Sequence, residues 1–318
     1  MIAVLGAGAF GTGLAVALSN AGREVVLWAR HKTHVEQMQS SRRNEARLPG
    51  VVLPESLQIT AQLPRNADAV LLAVPMQALA DALAHFGPEL DGHSIVACCK
   101  GIDLATGQGA TGLIGEACAN SVIAVLTGPS FASDIAKDLP TALTLACTDE
   151  VAGQQLQRLL STRTLRIYRT TDVIGAELGG ALKNVVAIAA GVVTGAGLGD
   201  SARAALMTRG YAEMLRAARA LGARPETLAG LSGFGDLVLT CTSNQSRNFH
   251  FGRALGKGDY VDPSVTVEGV ATAQAMMKVA AKHSLDMPIA AMVDALTNGK
   301  ISLSQAVQSL LSRPLKEE

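Results

Sequence analysis

Residues 1–28 read MIAVLGAGAFGTGLAVALSNAGREVVLW, and this stretch decides the fold. Residues 2–5 are a short apolar run of strand type. Residues 11–20 space their apolar side chains as a helix does, and 24–28 form a second strand-type run. Between the first two lies Gly6-Ala7-Gly8-Ala9-Phe10-Gly11, a G-x-G-x-x-G pattern. Alone the pattern is weak. Set between a strand and a helix, with another strand about twenty residues on, it reads as a dinucleotide-binding turn. Gly6 lets the chain turn sharply, Gly8 lets backbone approach a diphosphate, and Gly11 lets the helix sit close to the strand. The helix N-terminus then offers free N–H groups to the phosphates.

The same stretch has a second reading. Residues 1–22 carry no charged side chain, a length that could span a bilayer or serve as a secretion signal. Glycines at 6, 8, 11, 13 and 22, with Thr12, Ser19 and Asn20 among them, interrupt it, and no Lys or Arg precedes it. The other apolar run, 185–193, follows Lys183 and Asn184 and is too short to span. No membrane insertion is expected.

Composition sets further bounds. The chain has 318 residues, 48% of them hydrophobic, enough for a large core and more than one domain. Lys plus Arg and Asp plus Glu are both 27, so no overall basic field draws the chain to nucleic acid or anionic lipid. Local groups must bind any anionic ligand. The odd set Cys98, Cys99, Cys118, Cys147 and Cys241 holds no C-x-x-C pair, which points to reduced thiols in a cytoplasmic protein. Six dispersed histidines offer no metal site.

Along the chain, strand-type runs at 2–5, 24–28, 69–74, 94–98, 122–126, 141–146 and 165–168 alternate with helical patterns at 11–20, 33–41, 76–86, 112–118, 133–136 and 151–160. That alternation predicts βαβ units and a mostly parallel sheet. After about residue 172 strand signals cease. Helical patterns follow at 175–194, 202–221, 235–241, 247–255, 267–283, 289–297 and 303–311, punctuated by Pro225, Pro263, Pro288 and Pro314. The expected fold class is α/β: a Rossmann-type, mostly parallel sheet domain over 1–172, then an all-α-helical domain over 173–318.

At the end of the second strand, where NAD sites usually place an acid, stands Trp28-Ala29-Arg30-His31-Lys32. A guanidinium suits a ribose 2′-phosphate, so NADP(H) is favoured, with NAD(H) still admissible; the alternative is an Arg30 that simply faces solvent.

Three places offer chemistry. The helical pattern 175–194 is nearly all small or apolar apart from Glu177, Lys183 and Asn184. A lysine there loses hydration, which lowers its pKa toward the range of a general acid or base, unless it reaches the surface instead. Lys100 and Gly128-Pro129-Ser130 each follow a strand's carboxyl end, the edge where open α/β sheets bind ligands. Ser130 could equally cap a helix. The densest polar cluster runs from Gly230 to Asn248 and contains Asp236, Thr240 and Ser246-Arg247-Asn248. Ser-Arg-Asn at a helix start reads as a phosphate clamp or as a capped surface helix.

Longer motifs carry a resemblance: GAGAFGT (6–12), CCKGI (98–102), TGPSFA (127–132), GAELGGALKNVVAIAAG (175–191), SARAALMTRG (201–210), GLSGFGDLVLTCTSNQSRNFHFG (230–252) and VEGV (267–270). In this order, over nearly the whole length, the chain resembles the bacterial NAD(P)-dependent glycerol-3-phosphate dehydrogenases. The resemblance implies reversible NAD(P)H-dependent reduction of dihydroxyacetone phosphate to sn-glycerol 3-phosphate, feeding glycerophospholipid synthesis. It implies Lys183 as catalytic proton donor and acceptor and Lys100 beside it on the substrate. Asn184, Asp236 and Thr240 would orient substrate and lysines. Arg247 and Asn248 would hold the phosphate with Ser246 nearby, and Gly128 and Ser130 would line the pocket. Phe10, Arg30, Ala132 and Glu268 would contact the cofactor, which Lys100 and Arg247 also border. Small departures from the family pattern are Ala9-Phe10, Cys99 and Asp200-Ser201.

Two rival readings stand beside this one. A related two-domain dehydrogenase acting on a hydroxy acid or sugar acid phosphate would share the fold and the lysine but should lack the Ser246-Arg247-Asn248 cluster. A regulator that senses NADP(H) without turnover would not need Lys183. A homodimer is the expectation for a helical domain of this kind.

Overall fold

The computed structural model describes residues 1–260, 262 and 266–311. The first part of the chain runs β1 (Ile2–Leu5), α1 (Ala9–Asn20), β2 (Val25–Trp28), α2 (Lys32–Ser41), β3 (Arg43–Asn44), β4 (Leu48–Val52), β5 (Gln58–Thr60) and β6 (Ala69–Leu72). A 3-10 turn (Met76–Ala78) then leads into α3 (Leu79–Leu90), β7 (Ser94–Ala97), α4 (Ala110–Ala117), β8 (Val122–Thr127), α5 (Ala132–Ala136), β9 (Thr141–Cys147), α6 (Glu150–Leu160) and β10 (Leu165–Thr170). The rest is helical among the described residues: α7 (Val173–Gly195), α8 (Asp200–Ala220), α9 (Pro225–Ala229), a π-helical turn (Leu231–Gly235), α10 (Asp236–Thr242), α11 (Arg247–Lys257), α12 (Glu268–His283), α13 (Pro288–Thr297) and α14 (Leu303–Leu311).

One sheet holds eight strands in the order β10-β9-β8-β7-β6-β1-β2-β5. All neighbours are parallel except β8 and β9, which pair antiparallel from Ala124↔Cys147 to Thr127↔Thr144. From β1 the chain proceeds outward on one side to β2 and then on the other to β6. The order therefore switches at β1 and β6, where such sheets open a ligand crevice. The uninterrupted apolar run of β1 follows from burial on both faces. Ile2 and Val4 pack with Leu14 and Leu18 of α1, while Ala3 and Leu5 pack with Leu79 and Leu83 of α3.

Three short strands escaped the sequence reading. β3 and β4 form a separate hairpin, and β5 has only three residues at the sheet edge, two of them polar. Pro225, read as punctuation, opens α9 at the first helical position, where its missing N–H costs nothing. Pro263 and Pro314 lie outside the described residues.

The apolar run 185–193 lies in the C-terminal half of a 23-residue helix, α7, long and apolar enough by length and composition to cross a membrane. In the fold, 89% of its most apolar window is buried. Its surroundings are other helices, above all α11. A Cβ placed on Gly191 would lie 2.2 Å from the Phe249 carbonyl oxygen, and one on Gly195 would lie 2.2 Å from that of Arg253. From the other side, Gly252 and Gly256 of α11 would meet the carbonyl oxygens of Ile188 and Val192 at 2.0 and 2.3 Å. Glycines four apart on both helices thus bring the backbones into contact, an approach no larger residue permits.

Replacing Gly252 by Ala is expected to destabilise the protein by about 1–3 kcal/mol, the usual cost of overpacking. Gly115→Ala in α4, whose new Cβ would come no closer than 3.6 Å to Ile123, should be neutral or stabilising by up to about 1 kcal/mol. Chemical denaturation of the two variants checks this; equal stabilities would show that the contact yields readily.

Candidate active site

The fingerprint turn occupies the switch point. Gly6 adopts φ +120°, and a Cβ there would stand 2.6 Å from the Ala73 carbonyl oxygen at the end of β6. A Cβ on Gly11 would sit 2.1 Å from the Gly6 carbonyl oxygen. Both glycines are therefore demanded by the protein's own packing. Gly8 differs: its nearest neighbour would be Ala73 O at 4.0 Å. No protein atom accounts for a glycine there, whereas a ligand approaching the backbone does. Gly8 is also the N-cap of α1, which has neither a side-chain cap nor an acid in its first turn. These residues fit a dinucleotide diphosphate.

Two supporting residues escaped the sequence reading. Asn44, buried in the β3–β4 hairpin, donates to Ala7 O at 3.0 Å and to Thr12 Oγ1 at 2.8 Å, bracing the turn from behind. Gly13 lets α1 rest on α5, since a Cβ there would lie 2.7 Å from Ala132 O. Ala132 thus backs the first helix. Arg30 is exposed at the end of β2, its guanidinium 3.3 Å from the His31 ring.

Beside this turn three elements bring charge together. Lys100 follows β7, Lys183 lies in the middle of α7, and Asp236 opens α10. The Lys183 ammonium donates to Asp236 Oδ1 at 2.7 Å and to Thr240 Oγ1 at 2.9 Å. That of Lys100 donates to Asp236 Oδ2 at 2.7 Å and to the Gly128 carbonyl at 3.2 Å. Thr240 in turn donates to Asp236 Oδ1 at 3.2 Å. Asp236 is fully buried and Lys183 is 6% exposed. Burial pushes the Asp236 carboxyl up, but the two ammonium groups outweigh it and hold it below the usual carboxylate range. At Lys183 burial wins instead, and with Lys100 nearby it lowers the amine to about 8 despite Asp236. Lys100 also lies 6.0 Å from the centre of the Phe10 ring, joining the lysine pair to the fingerprint turn.

Gly128 adopts φ +134° and turns its carbonyl toward Lys100 and the Ser130 hydroxyl, which donates to it at 3.2 Å. A Cβ on Gly180 would come within 2.7 Å of Thr127 Oγ1. That buried hydroxyl has no hydrogen-bond partner among the described residues, and only the fold reveals it.

The Ser246-Arg247-Asn248 cluster divides. Ser246 caps α11 through Phe249 N at 3.2 Å. Asn248 is buried, donating to Asn184 Oδ1 at 2.9 Å and accepting from Gly269 N at 3.0 Å. Asn184 therefore faces Asn248, one turn of helix from Gly180, whose carbonyl it meets at 3.4 Å. Arg247 alone of the three is exposed. Glu268, at the start of α12, accepts from Met76 N at 3.3 Å across to the sheet domain. Its carboxyl is pushed up by burial, against Met76 and Arg247. The sequence-derived residues thus group into the turn around Gly8, the lysine–aspartate cluster, and the start of α11 with Glu268. Arg30 follows β2, whose last residue Trp28 accepts from the Gly6 N–H at 3.1 Å, so it leaves the sheet on the side of the fingerprint turn.

Known proteins resemble the chain over its full length. The family model described as NAD-dependent glycerol-3-phosphate dehydrogenase N-terminus matches residues 1–152, and the C-terminus model matches 172–308. A glycerol-3-phosphate dehydrogenase [NAD(P)+] of Cereibacter sphaeroides is 66% identical, with all of both chains covered, and one of Ruegeria sp. is 56% identical, covering all of this chain and 99% of its own. The crystal structure of glycerol-3-phosphate dehydrogenase from Coxiella burnetii superposes with a TM-score of 0.93 at 37% identity, over 98% of each chain. With both halves matched and the open Gly8 turn beside a buried lysine pair, the chain belongs to the NAD-dependent glycerol-3-phosphate dehydrogenase family.

Proposed function

We propose that this chain reduces dihydroxyacetone phosphate to sn-glycerol 3-phosphate, reversibly, with a nicotinamide cofactor held at the Gly6–Gly11 turn. The observation that carries the reading is Asp236 bridging Lys100 and Lys183. Two positive charges on one negative leave the cluster with one net positive charge, which suits a carbonyl oxygen turning into an alkoxide.

When bound, the nicotinamide supplies the hydride. The protein's residues do the rest. Lys183 hands a proton to the C2 oxygen, and the reverse reaction returns it. Lys100 offers that oxygen a second ammonium. Asp236 fixes the direction of both amines, helped by Thr240 at Lys183 and by the Gly128 carbonyl at Lys100, so little reorganisation accompanies the growing charge. Arg247, exposed at the start of α11, holds the substrate phosphate, and fixing that remote group orients the carbonyl. Asn184 and Asn248, whose amides face each other, set the position of Arg247 from behind. The basic run Arg30-His31-Lys32 favours NADP(H), since no acid stands there to take a ribose 2′-hydroxyl.

Following NADPH absorbance with dihydroxyacetone phosphate, and with unphosphorylated dihydroxyacetone beside it, tests the reading. Rapid oxidation should need the phosphate. Arg247→Ala should raise KM for the phosphorylated substrate at least about tenfold, the scale of a lost charge-assisted contact, and that for NADPH much less. Equal effects on the two constants would remove Arg247 from the phosphate.

The pH dependence follows from Lys183. Its ammonium form is the acid for ketone reduction, so kcat/KM for reduction should fall as pH rises through about 8. The neutral amine is the base for alcohol oxidation, so that rate should rise over the same window. Lys183→Met should abolish turnover and retain NADPH binding. Profiles that are flat between pH 7 and 9, or a Lys183→Met enzyme within a few-fold of wild type, would exclude Lys183 as the acid.

Cofactor choice is tested by Arg30→Asp. The ratio of kcat/KM for NADPH to that for NADH should drop at least about tenfold, since a carboxylate repels the 2′-phosphate. An unchanged ratio would mean that the phosphate is read elsewhere.

A further inference from the structure

Glu177 lies on α7, the helix that carries Lys183, but its carboxylate points across the domain boundary. It accepts from the backbone N–H of Thr111 at 2.7 Å (Oε1) and from the Thr111 hydroxyl at 2.7 Å (Oε2). Thr111 is in the first turn of α4, whose N-cap is Gly109 and which has no cap from its own sequence. A carboxylate at a helix N-terminus satisfies a free N–H and meets the positive end of the dipole. Glu177 is thus the cap of α4, supplied by the other domain. Gly109 is bare for the same reason: a Cβ there would lie 2.5 Å from Glu177 Oε2.

What α4 ends is the loop that starts at Lys100. Its near end is held at Gly101, pressed on Met76, and at Ile102, whose carbonyl accepts from Gln77 at 2.8 Å. Its middle is tied by buried Asp103, which accepts from Ala105, Thr106 N and the Thr106 hydroxyl. Its far end has the Glu177 cap. Cys99, beside Lys100, senses the same carboxylate: burial pushes its thiol up to about 12, and Glu177 adds to the shift. A cleft of about 430 Å³, bordered by Lys278, Lys282 and His283, opens on this contact.

We propose that Glu177 is a positioning residue of the reaction: by capping α4 it fixes the Lys100 loop against the helix that carries Lys183, and so sets the relation of the two amines. This rests on the reading of Lys100 and Lys183 as the substrate-facing groups. Glu268 makes the parallel contact, capping the 3-10 turn at Met76, which has no side-chain cap of its own. Two carboxylates from the helical domain therefore hold helix starts of the sheet domain on either side of Lys100. Burial pushes both carboxyls up, which marks them as groups desolvated by the closed interface.

Two variants test this by different routes. Glu177→Gln removes the negative charge and replaces one of the two acceptor oxygens at the helix start with an NH2 donor, and Gly109→Ala leaves the acid intact but displaces it. Both should lower kcat/KM for dihydroxyacetone phosphate at least about tenfold, as small misplacements of reacting groups do. The Kd for NADPH, from fluorescence titration, should stay within about twofold of wild type. The alkaline limb near pH 8 should also move, because the Lys100 charge adds to the effect of burial on Lys183, against that of Asp236. Hydrogen exchange at residues 100–109 should quicken in both variants whatever the substrate is, which separates this proposal from the substrate assignment. Unchanged exchange overturns the proposal. So does an activity loss that equals the loss of NADPH-binding protein, with KM and the pH limb as in wild type.

Discussion

One buried carboxylate, Asp236, makes the site. Lys183 is 6% exposed, and an ammonium so placed would lose its proton to escape desolvation unless a counter-charge met it. Asp236 meets two amines at 2.7 Å each. The balance is poised: burial still wins at Lys183, whose amine falls to about 8, while the paired ammoniums win at Asp236. A group so tuned exchanges protons near neutrality, which neither an exposed lysine nor a fully compensated ion pair does. The three residues come from a sheet edge, a central helix and a short helix. Each must be held to within a few tenths of an ångström by elements far apart in sequence.

That demand explains the composition. Aromatics are 3% of the chain and glycines number 32. Glycines face backbone where elements of the site meet. Gly179 of α7 would meet Ser232 O at 2.4 Å, and Gly233, in the π turn just before Asp236, would meet Leu228 O at 2.0 Å. Backbone pressed on backbone leaves no side-chain rotamer to adjust, so the carboxylate's origin is fixed relative to α7. The π turn has the same logic. One wide turn re-aims the chain so that Asp236 and Thr240, four apart on α10, both face Lys183.

Much of this was legible in the sequence where the physics is local. Strand and helix periods, the fingerprint glycines, and a lysine in an otherwise apolar helix all show within a few residues. Contacts distant in sequence did not. Asn44 braces the turn from 37 residues away, Thr127 Oγ1 is buried against Gly180 without a hydrogen-bond partner among the described residues, and Glu177 reads as a stray acid until Thr111 is seen against it. The polar cluster at 246–248 shows the limit most clearly. Its three residues are alike in the sequence, but helix geometry turns Ser246 and Asn248 inward and leaves Arg247 outside. Spacing placed them at a helix start; only neighbouring helices decide which of them meets a ligand. β5 was missed for a related reason, since three residues at an edge carry too little pattern to register.

The division between buried and exposed charge also bears on substrate choice. A Rossmann-type domain followed by helices hosts many dehydrogenases, so the fold by itself names no substrate. Proton transfer needs charges removed from water, and the lysine–aspartate cluster is removed. Capture of a doubly charged phosphate needs the reverse: a guanidinium that remains hydrated until the ligand arrives, because an unpaired buried arginine would cost more than the contact returns. Arg247 is so placed, and its turn of α11 is anchored by buried Asn248 to both α7 and α12. The anchor to α7 passes through Asn184, the residue after Lys183. In the proposed assignment, the phosphate-holding Arg247 and the proton-donating Lys183 are therefore tied by two amides across one short path. A substrate gripped at one end is presented at the other at a distance the fold has already set, which a substrate lacking the phosphate cannot exploit.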